Sequence, residues 1–267
     1  MENQMLTGKV ILVTGGSSGL GRSMAMAFAD AGAQVVLASP DHQLLEAAAM
    51  EIEARHGKNR VLATPTDITV RNDCERVLAE TLRTFGSLNV LVNNARRPQR
   101  GPGLPPDGNT LPFWKSNPDI WQETVHVNVN GTFQLSHVVT PHLIQQGWGR
   151  IINISTSIET IYRRNNSPYG VSKAAIDAAS LIWAQDLAGT GVTVNVLVPG
   201  GRVDTDPNRE ASPTSLPLEI MNPAAIWLAS SLSNGVTGAR FVGKAWDPTL
   251  PQEEAAARAR ELPVFRA

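Results

Sequence analysis

Between Lys9 and Ala38 the chain reads KVILVTGGSSGLGRSMAMAFADAGAQVVLA. A β-branched run, KVILVT, is followed by a glycine-rich turn. Small and apolar residues then recur at helical spacing from Leu20 to Ala31, and a second run, AQVVLA, closes the unit. Strand, turn, helix and strand in this compass define a βαβ unit, whose strands run parallel because the helix carries the chain back. Glycines at 15, 19 and 21, spaced Gly-x-x-x-Gly-x-Gly, allow a sharp turn. The helix that follows points its free N–H groups and positive dipole end at that turn, an arrangement that suits a pyrophosphate. The position between strand and helix gives the motif its weight; a plain tight turn is the alternative.

The same alternation continues along the chain. Further runs read RVLATP, LNVLVN, GRIINIS, VTVNVLV and ARFVGK, and helical patterns occupy Gln43 to Arg55, Arg71 to Phe85, Asp119 to Gln146 and Pro168 to Leu187. The first six strands are apolar on both faces, as strands covered by helices on both sides must be. These features predict an α/β protein: a single-domain Rossmann fold with a doubly wound parallel sheet of about seven strands. Two irregular stretches, 96–118 and 200–223, leave the carboxyl ends of strands, where open α/β sheets bind ligands. The tail from Asp247 is polar apart from LPVF, and is read either as an arm docking on a neighbour or as loose chain.

Composition excludes several classes. A net charge of −1 over 267 residues offers no general attraction to nucleic acid or anionic membrane. No apolar run has the length of a signal h-region or a membrane span, so a soluble, cytoplasmic protein is expected. Cys74 is the sole cysteine, which rules out an internal disulfide, and it has no partner at ligand spacing, so no metal site is expected.

The chemistry concentrates in INISTSIETIYRRNNSPYGVSKAA, Ile152 to Ala175. Ser167-Pro168 reads as an N-cap and first helical residue, so Tyr169 and Lys173 lie one turn apart on one helix face. An ammonium and a helix N-terminus beside a tyrosine favour its phenolate, which suits the pair to general acid–base work.

TGGSSGLG, NNA at 93–95, VNVNGTF at 127–133, YGVSK at 169–173 and NVLVPGG at 195–201 follow in the order and spacing of the short-chain dehydrogenase/reductases. The resemblance extends from about Leu6 to Trp246. It implies one dinucleotide-binding catalytic domain over residues 1–267 with substrate-loop insertions at about 96–118 and 200–223. The implied activity is NAD(P)-dependent hydride transfer to or from a carbonyl or secondary alcohol. Implied cofactor-binding positions are Gly15, Ser17, Ser18, Gly19, Leu20, Gly21, Ser39, Asp67, Ile68, Asn94, Ala95, Tyr169, Lys173, Pro199 and Gly200. Asp67 resembles the carboxylate near the adenine, with a helix N-cap as its alternative role. Asn128 matches the asparagine that supports a water beside the lysine; a helix-distorting core amide is its alternative. The family's glycine after Asn-Asn-Ala is replaced by Arg96.

Family members place a substrate-orienting serine thirteen residues before the tyrosine, which here lands on Thr156. Strand alternation puts Ser155 and Ser157 on the other face, although a bulge at the strand end would give the role to Ser157. The catalytic set is therefore Asn128, Thr156, Tyr169 and Lys173. Ser39 stands where NAD-selective enzymes carry an acid, so NADP is preferred over NAD. Arg96, Arg97, Arg100, Arg163 and Arg164 suggest either an anionic substrate group or solvated loop cations, and Leu111, Phe113 and Trp114 either an apolar lid or packing. The resemblance also implies a homodimer or homotetramer through the helices carrying Asn128 and Tyr169. The competing reading is an inactive dinucleotide-binding sensor or interaction protein, for which Arg96 and Thr156 speak.

Overall fold

The computed structural model describes residues 4–97, 111–205 and 212–261. Strands β1 (Val10–Thr14), β2 (Gln34–Ser39), β3 (Val61–Pro65), β4 (Val90–Asn93), β5 (Gly149–Ile154), β6 (Val192–Val198) and β7 (Arg240–Val242) run parallel. A short eighth, β8 (Arg260–Glu261), pairs antiparallel with β7. The order is β3-β2-β1-β4-β5-β6-β7-β8. The winding reverses between β1 and β4, which places a topological switch point beside the glycine-rich turn.

The helices are α1 (Gly19–Asp30), α2 (His42–His56), α3 (Arg71–Phe85), α4 (Pro118–Val125), α5 (Thr132–Gln145), α6 (Ile158–Ile161), α7 (Ser167–Asp186), α8 (Asn222–Ala229) and α9 (Gln252–Ala259). Alternate strand residues divide between two cores, as the period of two requires. Ile11, Val13, Val35 and Leu37 pack with α1, α2, α8 and α9 on one face. Val10, Leu12, Val36 and Leu91 pack with α3, α5 and α7 on the other. These two layers are the helical coats that doubly apolar strands need.

The structure corrects the sequence reading at four places. The eighth strand raises the count from seven to eight; its two residues are too few to show a pattern. The single helix expected from Asp119 to Gln146 is interrupted by a π-helical segment, His126–Gly131, where an extra residue widens the turn. Gly131 lies directly against Ile68, and Asn128 is buried within the widened turn. The second irregular stretch already holds a 3₁₀ turn, Leu218–Met221, that leads into α8. The tail from Asp247 does not hang loose over its described part: α9 buries Ala255, Ala256 and Ala259 in the first core. The LPVF segment lies outside the described residues.

Among the described residues no helix is long and apolar enough to cross a membrane, and no cluster of candidate metal ligands occurs. Cys74 is buried, and burial pushes its thiol up to about 11, as befits an inert core residue.

Candidate active site

The glycine-rich turn is fastened to both neighbouring strands. The Gly15 amide donates to the Ala38 carbonyl at 2.7 Å. Thr14 Oγ1 accepts the N–H groups of Asn94 and Ala95, each at 2.9 Å, and Asn94 Nδ2 donates to the Thr14 carbonyl at 2.9 Å. Gly19 adopts φ 52°, a left-handed conformation that disfavours a side chain. A β-carbon on Gly21 would collide with the Gly15 carbonyl oxygen. The backbone is thus bare where the N-terminus of α1 points, and this cradle fits a dinucleotide pyrophosphate. Ser18 is the exposed N-cap of α1, without a side-chain capping bond, and Leu20 packs against the core.

Ser17 Oγ donates to Ser39 Oγ at 2.9 Å, so the end of β2 is joined to the turn by two buried hydroxyls. Asp41, the nearest carboxylate after β2, caps α2 by accepting the Leu44 N–H at 3.0 Å. His42 faces Glu46 at 3.5 Å. Asp67 is not a helix cap: α3 starts from Val70, whereas Asp67 Oδ1 accepts from the Thr69 N–H and hydroxyl in a local turn. Pro199 is fixed by its carbonyl, which accepts the Lys244 N–H at 3.0 Å, and Gly200 follows it against Val242 and Lys244.

Beneath this end runs a buried ladder of amides and hydroxyls. Asn93 Nδ2 donates to Ser136 at 2.9 Å and to Asn153 Oδ1 at 2.8 Å, and Asn153 donates to Ser180 at 2.8 Å. The ladder ties β4 and β5 to α5 and α7.

At the chemical end, α7 is capped by Asn166, one residue earlier than the Ser167 cap read from sequence. The preceding Asn165 takes φ 63°, a turn that asparagine tolerates, and so brings the chain into the helix sooner. Tyr169 is half-buried on the first turn. Lys173, one turn on, is 3% exposed, donates to the Ile154 carbonyl at 2.8 Å, and lies 5.9 Å from the Tyr169 ring centroid. Burial lowers the Lys173 ammonium to about 8, the charge of Arg96 pushes the same way, and Asp177 opposes both. Asn128 accepts the Arg97 N–H at 2.8 Å and donates to Ser172 at 2.9 Å, so it links the NNA turn to α7. Its place inside the π-helical segment fits the helix-distorting amide.

β5 ends at Ile154, so the three hydroxyls lie beyond the strand rather than on its alternating faces. Ser155 is buried beside Asp177. Ser157 caps α6, accepting the Thr160 N–H at 3.3 Å and donating to the Thr160 hydroxyl at 3.1 Å. Thr156 is half-buried, with its backbone carbonyl held by Arg240.

The loop arginines do not gather into one anion pocket among the described residues. Arg97 pairs with Glu123, Arg163 donates to the Thr160 hydroxyl at 3.2 Å, and Arg96 reaches Thr205 at 3.3 Å. Arg100 lies outside the described residues. Phe113 and Trp114 are 72% and 69% exposed and meet edge to face at 5.3 Å, so they present an aromatic pair to solvent rather than packing into the core. Three contributors escaped the sequence reading: Ser172, inside the YGVSK motif, and the buried pair Asp177 and Arg240. The signals were a small polar residue between tyrosine and lysine, an acid in the apolar middle of a helix, and a cation opening a short apolar strand.

A family model described as short chain dehydrogenase matches residues 9–215. The chain belongs to that family and with it to the NAD(P)-dependent oxidoreductases. A 3-oxoacyl-(acyl-carrier-protein) reductase of Thermotoga maritima is 29% identical over 246 residues, covering 87% of this chain and 95% of the relative. A 2,5-dichloro-2,5-cyclohexadiene-1,4-diol dehydrogenase of Sphingobium indicum is 32% identical over 247 residues, covering 87% and 93%. Among solved structures, a short chain dehydrogenase from Shigella flexneri complexed with NADP superposes with a TM-score of 0.77 at 26% identity, covering 91% of this chain and 99% of that one.

Proposed function

We propose that this chain interconverts a small-molecule carbonyl and the corresponding secondary alcohol, with Tyr169 moving the proton and NADP(H) as the preferred dinucleotide. The observation that carries this reading is Lys173: a buried ammonium, anchored to the end of β5 by the Ile154 carbonyl and set one helical turn from Tyr169. When bound, the dinucleotide supplies or accepts the hydride. The turn of Gly15, Gly19 and Gly21 would hold its pyrophosphate, with Ser17, Ser18 and Leu20 around it. Asp67 and Ile68 would border the adenine, and Asn94, Ala95, Pro199, Gly200 and Lys173 the nicotinamide half.

Tyr169 donates its proton to the carbonyl oxygen in reduction and takes it back in oxidation. Lys173 stabilises the negative charge that Tyr169 carries after donating. Thr156 orients the substrate oxygen, because among the described residues its hydroxyl serves no other partner whereas Ser157 is spent on capping α6. Asn128 fixes the turn of Arg97 against α7 and so holds the lysine end in place.

For the cofactor, Asp41 is committed to capping α2, and the end of β2 offers the hydroxyls of Ser17 and Ser39 rather than a carboxylate. That arrangement favours a 2′-phosphate over the carboxylate–ribose bond of NAD enzymes. The NADP complex of the Shigella flexneri relative supports the same choice. Titration of tryptophan-to-nicotinamide energy transfer tests it. NADPH should bind at least about tenfold more tightly than NADH, a difference of about 1.4 kcal/mol. Equal or reversed affinities would return the preference to NAD.

The chain is further proposed to pair with itself through α5 and α7. Their outer faces expose Phe133 (54%) and Ile182 (55%) around a groove lined by His137, Thr140, Trp183 and Leu187. An apolar patch rimmed by polar residues on a helix pair is suited to an isologous contact.

A further inference from the structure

Arg240 stands on β7, 2% exposed, in a strand whose other described residues are apolar. Its three nitrogens all point to partners within the protein. Nη1 donates to Asp177 Oδ2 at 2.6 Å, Nη2 to the Thr156 carbonyl, and Nε to Glu261 Oε2 at 3.0 Å on β8.

The location of these partners is what matters. Thr156 belongs to the short segment between the end of β5 and the start of α6, outside any strand ladder. Arg240 fixes the carbonyl of the residue whose hydroxyl orients the substrate. Asp177 lies one turn beyond Lys173 on α7, with the Ser155 hydroxyl beside its carboxylate. A buried ion pair is a poor means of holding a strand against a helix, since apolar residues of like volume do so without desolvating two charges. A planar guanidinium, however, reaches several fixed acceptors at once, which an apolar side chain cannot.

We infer that Arg240 is a positioning residue for the reaction, holding the Thr156 peptide and the Asp177 carboxylate in one register behind Tyr169 and Lys173. Glu261 completes the clamp, so the C-terminal strand β8 is part of the support of the site. This inference rests on the proposed roles of Thr156, Tyr169 and Lys173.

The test compares wild-type protein with the double variant Arg240→Met/Asp177→Leu, which removes both charges and leaves no unpaired ion. NADPH affinity, thermal midpoint and NADPH-dependent reduction of ethyl acetoacetate, diacetyl and benzaldehyde are measured on both. The expected result is a midpoint and an NADPH affinity close to wild type, with kcat reduced about 10- to 100-fold, as a displaced orienting group produces. A double variant with wild-type kcat overturns the inference and leaves the function standing. A wild-type protein that binds NADPH and reduces none of the three probes overturns the functional reading itself. If the double variant does not fold, Arg240→Lys carries the test, because it keeps a cation opposite Asp177 but cannot span all three acceptors. A several-fold loss of kcat supports positioning, and unchanged kcat overturns it.

Discussion

Thr156 and Ser157 show how neighbouring hydroxyls acquire different duties. Ser157 is bound into the first turn of α6 through the Thr160 N–H and hydroxyl. Thr156 instead has its main chain anchored from behind and its side chain half-buried at the end of β5. Thr156→Val keeps the shape and removes the hydroxyl, and is expected to lower kcat about 100-fold, the scale of losing an orienting or oxyanion donor. Ser157→Ala is expected to cost about 1 kcal/mol of stability from the lost cap and to change kcat less than about threefold. Steady-state kinetics and thermal melts of the two variants check both halves; the reverse ranking of rates would transfer the orienting role to Ser157.

At the scale of elements, the turn between β1 and α1 is defined by contacts that leave no room for a side chain. Gly21 lies against the Gly15 carbonyl, and Asn94 crosses to that turn with bonds to the carbonyls of Thr14 and Gly15. Gly21→Ala should therefore distort the cradle and weaken NADPH binding by at least about tenfold, a loss of about 1.4 kcal/mol. Wild-type affinity in the fluorescence titration would show that the turn has slack that its geometry does not suggest. This element was legible in the sequence because glycine spacing, strand run and helical period all pointed to one unit. The same consistency made the parallel strands, the helices on both faces and the Tyr169–Lys173 face readable. The π segment was not, since the pattern from Asp119 to Gln146 is helical throughout, and the close approach of Gly131 to Ile68, distant in sequence, leaves no mark in it. The Asp177–Arg240 pair was hidden for the same reason: its members are far apart in the chain, and only the sheet order brings them together.

For the whole molecule, the two helical coats differ in what they leave outside. On the first face α8 and α9 bury alanines and Trp227, while α2 leaves only the separate side chains of Leu44 and Met50 exposed among its described large apolar residues. On the other face α5 and α7 retain large exposed apolar side chains at Phe133 and Ile182, with Trp183 and His137 beside Phe133. If this face pairs with a second copy, the purified protein should scatter light as a dimer or tetramer. Phe133→Asp should then shift it toward monomer, because a charge buried at an interface core costs several kcal/mol. A wild-type monomer at micromolar concentration would contradict the pairing. β8 adds a second long-range dependence: it brings Glu261 to Arg240 and thereby extends the support of the site to the C-terminal strand.

The most direct test of the proposed chemistry is substrate-dependent NADPH oxidation by wild-type protein and by Tyr169→Phe, each also titrated with NADPH. The phenyl ring keeps the packing and lacks the proton. The expected result is NADPH affinity within about twofold of wild type and turnover lowered by at least about 100-fold, the range assigned to a general acid. Turnover by Tyr169→Phe equal to that of wild type would contradict the assignment of the proton to Tyr169.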